Sequence, residues 1–189
     1  MRAHDLHQHL WPEQFVTALR ARREPPLLAG DVLMTREGRF PALLENHDPE
    51  TRVRLLDRDG IDVAALSLQT SLGLETLSAS ERESLEETWV AGIREVVAAS
   101  NGRFTALAPS RRREGLAGVS VGSHVLLDLD RHADALAEAE EHGAFVFVHP
   151  DAGDGARQRD RLALFQVIDR IDESGPRAHG RHIRIRVMR

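Results

Sequence analysis

Between residues 48 and 149 the chain alternates helices that have clear starts and stops with short runs that are apolar throughout, and this alternation limits the possible folds more than any other feature. Asp48-Pro49-Glu50 has the form of a helix start: a capping side chain, a proline at the first helical position and an acid in the first turn. Val53 and Leu56 supply a buried stripe, Gly60 stops the helix, and Ile61–Leu68 follows as an apolar strand. Ser80 and Glu83 are spaced as a capping box ahead of a helix carrying Leu85, Trp89, Ile93 and Val96 on one side, and Asn101-Gly102 ends it. Phe104–Ala108 and Leu116–Val121 read as strands. Asp130 caps a helix over Arg131–His142, Gly143 closes it, and Ala144–Val148 is a strand that runs into His149-Pro150. Upstream, Arg2–His9 reads as a strand and Trp11–Glu24 as a helix with Phe15, Val16 and Leu19 on one face. Pro25–Asn46 holds turn formers without a period and reads as an irregular insertion.

Strands that are apolar on both faces and separated by helices belong to a covered parallel sheet. The fold class expected is α/β, a (β/α)8 TIM-barrel-like arrangement that is incomplete. Five strands can be drawn up to His149, and a sixth at Ile183–Met188 after a helix over Ala156–Ile171. About 250 residues are typical of the complete barrel, so 189 residues give an expectation of truncation. Pro109–Gly115 is also too short for a helical crossover, so one barrel helix is expected to be missing. The charge divides the chain. Residues 1–150 carry −8 and residues 151–189 carry +3, within a formal net charge of −5. We therefore read 1–150 as the N-terminal part of the barrel and 151–189 as a basic tail.

An acidic main body argues against a nucleic-acid partner. No apolar run is long enough for a membrane span, and the start lacks a signal-peptide core, so a cytoplasmic location is expected. Cysteine, lysine and tyrosine are absent, which excludes disulfides, thiolate metal sites, Schiff-base lysines and tyrosine acids. An open barrel would expose a sheet edge, and homo-oligomer formation through that edge is expected.

Asp5-Leu6-His7-Gln8-His9 carries the chemistry. Residues two apart on a strand project to one side, so Asp5, His7 and His9 are expected to share a face at a strand end. Two imidazoles so spaced can grip one divalent metal, with Asp5 orienting a ligand or binding metal itself. A polar strand end with no ligand has the same pattern. Position favours the metal reading, because His149 also follows a buried strand, before a proline that stops it.

His7-Gln8-His9-Leu10-Trp11-Pro12, the Asp48–Leu68 helix and strand, and Phe147-Val148-His149-Pro150 together resemble the amidohydrolase-related family of metal-dependent hydrolases and aminocarboxymuconate-semialdehyde decarboxylase-like enzymes. The resemblance covers roughly residues 2–152. It implies a (β/α)8 barrel and a divalent metal, usually zinc, held by His7 and His9. His149 would be a metal ligand or a substrate contact. The family's late aspartate, which acts as base or completes the metal site, has no counterpart, leaving Asp151 as the strongest candidate base. The activity implied is hydrolysis or decarboxylation of a small carboxylate, lactone or amide by a metal-activated water. Little activity is expected of the isolated chain. The alternatives are an inactive remnant or interaction protein of the same fold and, more weakly supported, a metal-dependent nuclease.

Other residues read more plainly. Arg111-Arg112-Arg113 fits a solvated loop, and His124, His132 and His142 fit surface positions. Trp11 fits either the mouth of the site or the core, Ser67 and Ser71 are weak substrate-contact candidates, and His47 has no nameable partner. No nucleophile-elbow, P-loop or dinucleotide pattern occurs.

Overall fold

The computed structural model describes residues 3–122, 134, 137–139 and 141–149, and the backbone of three short strands between 177 and 186. The chain divides into two compact units, Met1–Ala106 and Leu107–Arg189.

In the first unit, strand β1 (His4–His9) leads to helix α1 (Glu13–Ala21), and Pro12 sits at the helix N-cap. Phe15 and Leu19 are the buried face of α1. The segment read as irregular is in fact a three-stranded antiparallel meander of β2 (Leu27–Ala29), β3 (Val32–Thr35) and β4 (Gly38–Pro41). Ala29 pairs with Val32 across Gly30-Asp31, and Gly30 takes φ 60°, the left-handed geometry that a two-residue hairpin turn needs. Strands of three and four residues are too short to display a period, and only Leu28 and Leu33 anchor this sheet as buried leucines.

Helix α2 (Pro49–Asp59) begins and ends where its signals lie. Asp48 accepts a 2.7 Å hydrogen bond from the Thr51 N–H, and Gly60 closes the helix at φ 69°. Strand β5 (Val63–Ser67) follows, then two short 3-10 turns, and then helix α3 (Ala79–Ala99). The box that starts α3 is Ser78 with Glu81, two residues before the expected pair: Ser78 Oγ accepts from the Glu81 N–H at 3.3 Å and donates to its carboxylate at 2.6 Å. Leu85, Trp89 and Ile93 are on the buried side of α3, as the spacing predicts, whereas Val96 is only half-buried. The Trp89 indole donates to the Leu10 carbonyl at 2.9 Å, which ties α3 to the end of β1.

Strand β6 (Phe104–Pro109) pairs in parallel with β5 through its first half and with β7 (Gly118–Gly122) through its second. Residues 110–117 join these parallel strands without a helix, which matches the missing crossover. In the second unit β7 pairs in parallel with β8 (Phe145–His149), and residues 134, 137–139 and 141 are helical. Of the arginine run, Arg113 is buried rather than solvated. Further on, β9 (Arg177–Ala178) and β10 (Arg181–His182) form an antiparallel pair, and β11 (Ile185–Arg186) lies parallel to β8, inside the span expected for a sixth strand. The helix expected over Ala156–Ile171 lies outside the described residues.

The strand order is β1-β5-β6-β7-β8-β11, and all its pairings are parallel. This is part of a TIM-barrel-like α/β architecture. Among the described residues, no helix is long and apolar enough to cross a membrane.

Candidate metal and substrate site

The pairing of β1 with β5 is interrupted just where the histidines begin. His4 and Asp5 face Val63 and Ala64, whereas Gln8 and His9 face Leu66 and Ser67. Three steps along β1 therefore match two along β5, which is a bulge. The Asp5 carboxylate holds it, accepting from the His7 N–H at 3.0 Å and from Gln8 Nε2 at 2.7 Å. The simple two-residue alternation expected for Asp5, His7 and His9 is thus broken between Asp5 and Gln8. Asp5 supports the strand that carries the histidines, and the imidazoles of His7 and His9 meet edge to face with ring centroids 4.6 Å apart.

The tautomer of His9 follows from its contacts. Its Nδ1 lies 3.0 Å from the carbonyl oxygen of Ser67, which can only accept, and 3.3 Å from the Ser67 hydroxyl, which can accept as well as donate; a proton on Nδ1 satisfies both contacts. Nε2 then holds the lone pair. This is the arrangement found in metal-ligating histidines, whose second ring nitrogen donates to a carbonyl or carboxylate. Ser67 is fully buried at the end of β5, so its carbonyl gives the ring a fixed support. A divalent ion of the zinc type suits such nitrogen donors.

A cleft of about 570 Å³ opens beside this pair, within the size range of small-molecule sites. His7, His9 and Trp11 line it along with Phe40 and Leu43 from the end of the meander, and His47 and Arg52 from the approach to α2 and from α2 itself. Phe40 and Leu43 are 43% and 53% exposed, the largest exposures among the described large apolar side chains. Trp11 is both a cleft-lining and a core residue, only 3% exposed. Arg52 donates through Nη2 to the carbonyls of His9 and Asn46, fastening the end of β1 to α2. Burial lowers the Arg52 pKa and the Asp5 carboxylate opposes that shift.

His47 is the cleft residue that sequence reasoning left without a role. Its ring stacks on Trp11, centroids 4.4 Å apart and planes within 7°, and its Nδ1 accepts the Trp11 backbone N–H at 3.1 Å. Burial, with the Arg52 cation and His9 adding to it, lowers its pKa to about 4. The only sequence signal was its place one residue before the Asp48 cap. The contact with Trp11 spans 36 residues and depends on the intervening meander.

His149 is the last residue of β8 and is half-buried, with its ring 6.3 Å from that of Phe147. Ser71 lines the cleft and is exposed. His142 is exposed, as expected. Asp151, His124 and His132 lie outside the described residues.

No protein-family model matches the sequence, and no curated protein matches it. Solved structures do match the fold. The IDCase of Metarhizium anisopliae superposes with a TM-score of 0.62 at 18% identity, over 85% of this chain and 54% of that one. A candidate amidohydrolase from Staphylococcus aureus superposes with a TM-score of 0.56 at 13% identity, over 95% of this chain and 52% of that one. The chain spans about half the length of the solved structures it matches, and what they establish for it is the partial TIM-barrel-like fold.

Proposed function

We propose that the chain belongs to a metal-dependent hydrolase or decarboxylase acting on a small carboxylate, lactone or amide. On this reading His7, His9 and His149 would each give one ring nitrogen to a shared divalent ion, zinc by the character of the donors. The carrying observation is the orientation of the His9 ring: its Nδ1 faces the Ser67 carbonyl, which puts the lone pair on Nε2, and the ring meets the His7 imidazole edge to face at the edge of a substrate-sized cleft. His149 fits the same role because it ends a strand of the same parallel order, as His9 does. When bound, such an ion activates water and polarises a substrate oxygen.

The chain's own residues hold the rest of the site. The Asp5 carboxylate and the Ser67 carbonyl keep the two imidazoles of β1 in place. Arg52 secures the His9 backbone, and the meander covers one side of the cleft. Asp151, two residues beyond His149, is our candidate proton acceptor. The test is elemental analysis of protein purified without chelator. We expect about one zinc per chain, the stoichiometry of a single site, and its loss in the His7→Ala/His9→Ala double variant. Equal metal in both proteins would refute the reading.

A further inference from the structure

We propose that His47 is a fixed hydrogen-bond donor to an oxygen of the cleft's ligand, and that this ligand joins a carboxylate or carbonyl group to an apolar body. The inference rests on the cleft being the substrate site and deepens that reading by naming a residue and a ligand chemistry.

The argument begins with the tautomer. A backbone N–H can only donate, so the contact from Trp11 requires a lone pair on His47 Nδ1. The ring proton of the neutral imidazole is then on Nε2. The stack on Trp11 fixes the plane of the ring, and a flip within that plane would put Cδ2 in place of Nδ1 and lose this hydrogen bond. Trp11 is itself immobilised in the core. The result is a neutral donor held in one orientation in the wall of a cleft. A preorganised donor of this kind favours acceptor oxygens, because it spends no reorganisation when the ligand arrives.

The surroundings favour the same class. The Arg52 cation acts on His47 and so lies near the proposed donor, where it adds attraction for a carboxylate and repulsion for an amine, while the Glu37 carboxylate lines the cleft from the meander. Phe40 and Leu43 face the cleft with apolar surface left open to solvent, which an apolar ligand body would cover. The polar donors and the apolar wall come from separate elements, α2 with the segment before it and the end of the meander, so a ligand touching both must carry both characters.

The experiment uses the full chain labelled with 15N-histidine, in chelator, with benzoate, benzamide and benzylamine as probes. Long-range 1H–15N correlation spectra should show His47 protonated on Nε2. Benzoate and benzamide should shift that nitrogen and its proton, and benzylamine should not. In His47→Asn the side-chain carbonyl can still accept from the Trp11 N–H, but the donor at the Nε2 position is gone. We expect that variant to bind benzoate about tenfold or more weakly, the usual size of one hydrogen bond to a charged group, with its melting temperature little changed. A proton on Nδ1 would overturn the proposal. So would unshifted His47 signals at benzoate concentrations well above millimolar, equal shifts with benzylamine, or undiminished benzoate binding in a folded His47→Asn. Since every titration is run without metal, failure of the zinc reading appears only in metal content, and failure of this one only in the imidazole signals.

Discussion

At the residue scale, the site depends on which proton each imidazole keeps. His9 and His47 are both constrained by the backbone, in opposite senses. A carbonyl fixes a proton on Nδ1 of His9, and an N–H fixes a lone pair on Nδ1 of His47. The second constraint has a consequence for stability. Folded His47 titrates at about 4, against an ordinary value of 6.5, chiefly through burial. Between those two values the unfolded chain binds a proton that the folded chain refuses, so stability rises with pH there. In chelator, the His47 contribution to stability should therefore fall as pH drops through 6.5 toward 4, and that loss should level off below about 4. The difference in unfolding free energy between wild type and His47→Asn, followed by urea denaturation across this range, isolates the effect. A difference that does not change with pH would contradict it. None of this was legible in the sequence, because His47 acquires its partner only when the meander folds back toward β1. His7 and His9 were legible, since their spacing and their place at a strand end are both local.

At the element scale, the signals at both ends of α2 and at the end of α3 held because each is set by the local backbone. Asp48 and Gly60 bound α2 as read, and Asn101-Gly102 closes α3 with both residues at positive φ. Asp48→Ala should cost about 1 kcal/mol, the usual effect of losing an N-cap, measurable by chemical denaturation. Serine and glutamate recur at the start of α3, so two boxes with the same spacing compete there. Ser78 with Glu81 prevails over Ser80 with Glu83. The meander escaped notice because it is set by two tight turns rather than by a period. Contacts between elements were also hidden. A Cβ on Gly92 of α3 would lie 2.5 Å from the Pro12 Cβ, where α1 begins. In an exposed helix Gly→Ala stabilises by about 1 kcal/mol. Here Gly92→Ala should instead destabilise by about 1–3 kcal/mol, the typical cost of overpacking, with a lowered denaturation midpoint as the readout. A gain in stability would show that α1 and α3 do not pack this closely.

At the scale of the whole molecule, apolar strands separated by helices were enough to indicate a parallel sheet, and the parallel order from β1 to β8 follows that reading. The unexpected bulge in β1 lies where the chemistry begins, and no alternation rule could have located it. The proposed function requires the ends of distant strands to share one ion, which no single segment could provide. X-ray absorption at the zinc edge of the zinc-loaded chain tests this most directly, because it counts imidazole ligands. The account predicts three imidazole nitrogens at about 2.0–2.1 Å, the ordinary zinc–histidine distance, falling to two in His149→Ala. Two imidazoles in the wild type, or a spectrum unchanged by His149→Ala, would contradict it.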